Sequence, residues 1–195
     1  MFDLILASAS PRRRELLQQI GVCFDVQPVD IPEVKQPDES AADFVKRLAV
    51  EKATAGWERS DRRLPVLGSD TVVVLDDQVM GKPRDRDDGI AMLQALSGRE
   101  HQVMTALAIV NNEQTQVRAV STRVQFKELS EELCLRYWET GEPADKAGGY
   151  GIQGLGAVFV ASISGSYSSV VGLPLTETAD LLNIFKVPFW QRAAE

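Results

Sequence analysis

The sequence predicts a mixed α/β fold, and three stretches carry that reading. The chain opens Leu4-Ile5-Leu6-Ala7-Ser8-Ala9-Ser10-Pro11-Arg12-Arg13-Arg14-Glu15-Leu16-Leu17, which reads as an apolar strand, a Ser-containing turn and the start of a helix. Pro65 to Leu75 ends in Val72-Val73-Val74-Leu75, apolar on both faces as in a central strand. Two long β segments, Glu100 to Val110 and Thr115 to Leu129, meet at Asn111-Asn112-Glu113-Gln114. Strands and helices intermix with hairpins in the middle, so the sheet is mixed rather than purely parallel. A chain of 195 residues makes one large domain or two small lobes.

The remaining elements follow in order. Ser10 suits the N-cap and Pro11 the first helical position. Cys23 to Val29 reads as a strand, and an acidic, proline-containing loop follows from Asp30 to Asp38. Ser40 with Asp43 resembles a capping box and opens a helix to about Trp57. Asp61 to Leu64 is a charged connector. Asp76-Asp77-Gln78 turns the central strand into a short hairpin. Helices are expected from about Asp87 to Leu96 and from about Ser130 to Thr140. A Gly-rich stretch, Gly141 to Gly156, leads into a strand from Ala157 to Ile163. Gly165-Ser166-Tyr167 turns the chain, Pro174 opens a last helix to about Phe185, and the tail after Pro188 is expected to fray.

Composition narrows the function. Hydrophobic content of 44% and charged content of 25% fit a globular protein with an ample core. The net charge of −7 argues against broad nucleic-acid binding and against anionic membranes, so an anionic ligand would need a local basic patch. No apolar run approaches transmembrane length, and Leu4 to Ala7 is too short for a signal sequence. Cys23 and Cys134 are far apart with no metal-type spacing and read as reduced thiols of a cytoplasmic protein. His101 is the one histidine, which argues against a His-cluster metal site and against a Ser-His-Asp triad, and at a strand start it reads as structural.

The basic patch is at the first helix. A helix N-terminus carries partial positive charge, so three arginines there are unfavourable unless an anion joins them. Free amides, Ser8 and Ser10 hydroxyls and arginines together read as a polyanion cradle. Leu16, Leu17 and Ile20 define the apolar stripe; Arg13 points along it, Arg12 lies at its edge and Arg14 falls on the solvent side. Arg12 and Arg13 thus face the edge where open α/β sheets bind ligands. The competing reading is a solvated basic turn bridged to an acid, preferred for Arg14.

Asp70 sits mid-strand in Gly68-Ser69-Asp70-Thr71 and shares a face with Val66, Val72 and Val74. A buried carboxylate needs a cation, a metal or a proton. It would hold Mg²⁺, act as general base on water, or be a structural aspartate satisfied by neighbouring amides. Lys52 lies on the apolar face with Val45 and Leu48, and either snorkels or reaches a phosphate as a point charge. Lys82, held extended before Pro83, and Glu33, in a loop, are weak signals alone; a metal beside Asp70 would want a second carboxylate such as Glu33. In Asp145-Lys146-Ala147-Gly148-Gly149-Tyr150-Gly151-Ile152-Gln153-Gly154 the glycines permit close backbone approach to a ligand, or make a flexible loop without one. Gln153 offers donor and acceptor to a base edge, and Tyr150 stacks or packs. Neither a Walker-type phosphate loop nor a dinucleotide glycine fingerprint is present. The residues alone point to a Mg²⁺-assisted phosphate-ester or phosphoanhydride site built from Arg12, Arg13, Lys52, Lys82 and Asp70.

In order along nearly the whole chain, Ser8-Ala9-Ser10-Pro11-Arg12-Arg13, Gly68-Ser69-Asp70-Thr71, Gly81-Lys82-Pro83 and the Asp145 to Gly154 stretch resemble the Maf family of nucleoside triphosphate pyrophosphatases, in particular its dTTP/UTP branch. The resemblance implies one Maf-like domain over residues 1–195. Its fold would be α/β, a mixed twisted sheet with helices on both sides and two lobes around a central cleft, as in inosine triphosphate pyrophosphatases. It further implies a divalent cation (Mg²⁺ or Mn²⁺), a cytoplasmic location and a homodimer. The implied activity is hydrolysis of dTTP and UTP to the monophosphate and pyrophosphate. By motif position, Asp70 matches the proton acceptor, and Arg12, Thr71 and Gln153 match the positions that set base preference. Arg13, Glu33, Lys52 and Lys82 match phosphate- or metal-site positions, Glu33 and Asp70 being the metal pair. Two alternatives stay open: turnover mainly of modified pyrimidine nucleotides, and a nucleotide-binding regulator of septum formation and division without turnover.

Overall fold

Seven strands pair in the order β2-β1-β3-β5-β6-β7, with β4 added to β3. In chain order the elements are β1 (Leu4–Leu6), α1 (Pro11–Gln19), β2 (Phe24–Val26), α2 (Ala41–Arg59), β3 (Val66–Leu75), β4 (Gln78–Met80), α3 (Arg86–Leu96), β5 (Glu100–Val110), β6 (Thr115–Phe126), α4 (Glu131–Trp138), β7 (Val160–Ser164), α5 (Tyr167–Val171) and α6 (Leu175–Ile184). This computed structural model describes residues 2–191. β1 is parallel to β2 and β3, whereas β3–β4 and β6–β7 are antiparallel, so the sheet is mixed as expected.

The chain divides into two compact units. One comprises Met1–Asp70, Thr105–Val120 and Gly172–Glu195; the other comprises Thr71–Met104 and Ser121–Val171. Three of the divisions fall within β3, β5 and β6, and the fourth directly follows α5. In the first unit, α2 lies on β3 with little intervening side chain. A Cβ at Gly68 would collide with the Ala49 carbonyl and the Ala53 amide, and one at Gly56 would stand 2.8 Å from Val66 and 2.9 Å from Ala7. Strand alternation puts Val66, Gly68 and Asp70 on that one face. In the second unit Val73, Leu93, Val103, Val124, Phe126, Cys134, Tyr137, Tyr150 and Phe159 form a continuous core with edge-to-face ring pairs.

The local signals explain most boundaries. Ser40 accepts from the Asp43 amide at 3.1 Å and donates to its carboxylate at 2.7 Å, starting α2. Asp85 and Ser130 cap α3 and α4 through side-chain oxygens. Asp76 and Asp77 both take positive φ, as a two-residue hairpin turn of the mirror-image kind requires.

The structure departs from the sequence reading in several places. β2 stops at Val26 rather than Val29, and β6 at Phe126 rather than Leu129. Leu155–Phe159 is a 3₁₀ turn, so β7 starts three residues late. α5 is a five-residue helix where only a turn is expected. The Gly-rich stretch is ordered by 3₁₀ turns at Glu142–Asp145 and Ala147–Gly149, with Gly148 and Gly149 buried. Residues 189–191 do not fray: the Trp190 and Gln191 amides donate to Ile20 and Gly21, and the Gln191 side chain meets Asp3 and Cys23. Residues 192–195 lie outside the described residues.

Candidate functional site

The first unit holds Ser8, Ser10, Arg12, Arg13, Glu33, Lys52 and Asp70; Thr71, Lys82 and Gln153 belong to the second. Ser10 caps α1, its Oγ accepting from the Arg13 amide at 3.5 Å. Ser8 is buried, and its Oγ accepts from the Ser10 amide and from Arg13 Nη1, both at 3.2 Å. Arg13 Nε donates to the Gly172 carbonyl at 3.0 Å, and Ser69 Oγ donates to the same oxygen at 3.1 Å. Burial lowers the pKa of Arg13; Asp70 raises it, Arg12 lowers it and Glu33 raises it, with a net fall. A guanidinium keeps its proton through such a shift. Arg12 is half-buried and Arg14 exposed, as the stripe geometry requires.

Helix α1 differs from its neighbours in charge. Its first turn has no acid, whereas α2, α3, α4 and α6 each place Asp or Glu there. The Ser8 and Ser10 hydroxyls and the Arg13 guanidinium, with Arg12 near enough to act on it, thus gather where the helix dipole already favours an anion.

The first unit carries an ion triplet. Lys52 Nζ lies 2.6 Å from Asp70 Oδ1 and 2.6 Å from Glu33 Oε1. Lys52 and Asp70 are 8% and 6% exposed, while the Glu33 side chain is 48% exposed. The ammonium therefore does not run out to solvent; it bridges the buried Asp70 carboxylate and the loop carboxylate of Glu33. The cost of burying two charges is offset only by such close, hydrogen-bonded geometry. Among the described residues, no group of three or more His, Cys, Asp or Glu converges as a protein-only metal cage. Two carboxylates do converge, on one nitrogen. Carboxylate oxygens are donors that Mg²⁺ takes, so Glu33 and Asp70 fit a divalent cation whose remaining ligands come from outside the chain.

In the second unit Thr71 is half-buried on β3, and Lys82 and Gln153 are exposed. The Gly81 carbonyl accepts from the Gly148 amide at 3.0 Å, tying the Lys82 loop to the Gly-rich segment. Gln153 lies in a turn closed by the Gly154 amide on the Gly151 carbonyl at 3.4 Å. Tyr150 packs: it is buried edge-on against Phe126, and its hydroxyl is 2.8 Å from His101 Nε2.

A family model described as Maf-like protein matches residues 3–185. The chain belongs to the Maf-like protein family. Among curated relatives of this Maf-like chain, a Saccharophagus degradans protein is 57% identical over 98% of this chain and 93% of its own. A Vibrio parahaemolyticus protein is 56% identical over 94% and 97%, and a Hahella chejuensis protein 53% identical over 96% and 94%. All three bear the name dTTP/UTP pyrophosphatase. Among solved structures, a nucleoside-triphosphatase / dITP/XTP pyrophosphatase from Mycobacterium abscessus has a TM-score of 0.46 with 18% identity, covering 94% of each chain.

Sequence reasoning passed over two groups that shape the basic corner of this Maf-like chain. Ser69 points to the opposite face of β3 from Asp70 and shares the Gly172 carbonyl with Arg13. Its position between Gly68 and Asp70 was the available signal. The Gly172 carbonyl has none, because a backbone acceptor 159 residues from Arg13 leaves no mark in periodicity or composition.

Proposed function

We propose that this protein hydrolyses dTTP and UTP between the α- and β-phosphates, releasing the nucleoside monophosphate and pyrophosphate, with a divalent metal, Mg²⁺ or Mn²⁺. The observation that carries the reading is the buried Asp70 carboxylate 2.6 Å from Lys52 Nζ, in a chain whose relatives at more than half identity carry the name dTTP/UTP pyrophosphatase. In this reading Asp70 takes a proton from the attacking water, whose oxygen bonds to phosphorus as the anhydride P–O bond breaks and pyrophosphate leaves. Ser8, Ser10, Arg13, Lys52 and Lys82 bind the phosphates and offset charge as it develops on the leaving group. Glu33 and Asp70 would hold the metal, which when bound supplies further charge neutralisation on the phosphate oxygens. Gln153, Thr71 and Arg12 select the base; a site built to pair with the N3–H and carbonyl edge of uracil or thymine rejects a base that leaves those groups unpaired.

We infer, from the same resemblance, a homodimer working in the cytoplasm. Among the described residues no helix is long and apolar enough to cross a membrane. The test is product analysis with UTP and dTTP in the presence of Mg²⁺ or Mn²⁺. Pyrophosphate is expected, with Asp70→Ala lowering turnover at least about a thousandfold. Release of orthophosphate instead would overturn the α–β assignment, and tight binding without any turnover would favour the division-regulator reading.

A further inference from the structure

One buried polar network in the second unit has no role in the site described above. Tyr137, in α4, is buried, and its hydroxyl donates to Glu142 Oε1 at 2.7 Å while accepting from the Gly151 amide at 3.2 Å. The Glu142 carboxylate also accepts from the Gly156 amide at 3.0 Å through Oε1 and from the Leu155 amide at 2.8 Å through Oε2. Glu142 is itself anchored, since its carbonyl takes Lys146 Nζ at 2.7 Å. Burial raises the Glu142 carboxyl, but the Tyr137 hydroxyl and the two amides outweigh it and hold the group below its ordinary range. Burial raises the Tyr137 phenol, which therefore stays a donor.

The amides these two side chains hold belong to Gly151, Leu155 and Gly156. They bracket the turn Ile152-Gln153-Gly154 on both flanks. The backbone lies directly on the pair: a Cβ at Gly154 would collide with the Glu142 carboxylate, and one at Gly156 would stand 2.6 Å from the Tyr137 hydroxyl. The turn's other backbone bonds are the long one from the Gly154 amide to the Gly151 carbonyl at 3.4 Å and that from the Ala157 amide to the Gly154 carbonyl at 3.2 Å, neither of which holds Gln153 itself. An exposed glutamine on so short a turn keeps one orientation only if the turn's ends are fixed, and a misplacement of about 1 Å is enough to cost a large part of a site's discrimination.

The geometry points to Glu142, with Tyr137 as its partner, as the pair that positions Gln153 to read the pyrimidine edge. Both act through the backbone of the turn. This rests on the base-reading role proposed for Gln153.

The test compares kcat/KM for UTP and CTP in Gln153→Ala, Glu142→Ala, Glu142→Gln and Tyr137→Phe, alongside thermal melting and amide hydrogen exchange over residues 151–156. Gln153→Ala is expected to lower the UTP-to-CTP ratio about tenfold, and Glu142→Ala to lower it by a similar factor with faster exchange at the Gly151, Leu155 and Gly156 amides. Glu142→Gln retains a carbonyl acceptor and Tyr137→Phe retains the ring, so both should fall between and remain informative if Glu142→Ala does not fold. A purely structural glutamate would lower Tm and slow both nucleotides alike; an unchanged ratio in Glu142→Ala and Glu142→Gln, with the ratio reduced in Gln153→Ala, overturns the positioning role alone. An unchanged ratio in Gln153→Ala removes the base-reading role, and the positioning role falls with it.

Discussion

Lys52 makes two short ionic contacts from a buried helix face, and this determines what its loss does. Lys52→Met keeps most of the apolar stem and deletes the ammonium, leaving the Asp70 carboxylate buried without that cation. Removing one partner of a buried pair costs about 3–5 kcal/mol, and the half-exposed Glu33 arm brings the expectation toward about 2–3 kcal/mol. Asp70→Asn in the same background removes the stranded charge, so urea unfolding should return most of that stability in the double variant; strictly additive losses would mean the two residues do not act as a pair. The inward face of Lys52 was legible from its spacing with Val45 and Leu48. Its partners were not: Asp70 is eighteen residues away, and Glu33 sits in a loop with no period to reveal its direction.

The contact of α2 with β3 sets that ion pair. Helical spacing brings Ala49, Ala53 and Gly56 onto Gly68 and Val66, and the same two surfaces carry Lys52 and Asp70. Gly68→Ala would drive a methyl group into the Ala49 carbonyl and the Ala53 amide, so the helix must lift from the strand. Overpacking of this kind costs about 1–3 kcal/mol. Turnover of UTP should fall more than stability accounts for, because Lys52 moves with the helix; a variant with lowered Tm and unaltered kcat/KM would separate the packing from the site. Capping and alternation made α2 and β3 readable in advance. The 3₁₀ turns after Gly141 and the five-residue α5 were not readable, since elements of three to five residues are too short for an apolar period to recur and these 3₁₀ turns carry no side-chain cap bond.

At the scale of the whole molecule, a net charge of −7 coexists with a basic corner built on α1, so anion attraction is local rather than global. The alternation of strands and helices and the motif order carried the family and the mixed sheet, whereas the tail bonds of Gln191 to Asp3 and Cys23 join opposite ends of the chain and were invisible in sequence. The histidine at the start of β5 reads as structural, and its setting gives the fold a pH limit. His101 is 2% exposed between Phe126 and Tyr150, and burial lowers its pKa from 6.5 to about 4. Below pH 6.5 the unfolded chain takes up a proton that the folded chain refuses until about pH 4, so stability falls as pH falls through that window and is fully present above it. The shift corresponds to about 3 kcal/mol. His101→Phe preserves an edge-on ring and removes the titration, at the cost of the Tyr150 hydroxyl's partner. Urea unfolding between pH 7.5 and pH 4.5 should therefore show the variant less stable than the parent at neutral pH but with a shallower acid decline; parallel curves would mean that His101 takes no part in the acid sensitivity of the fold.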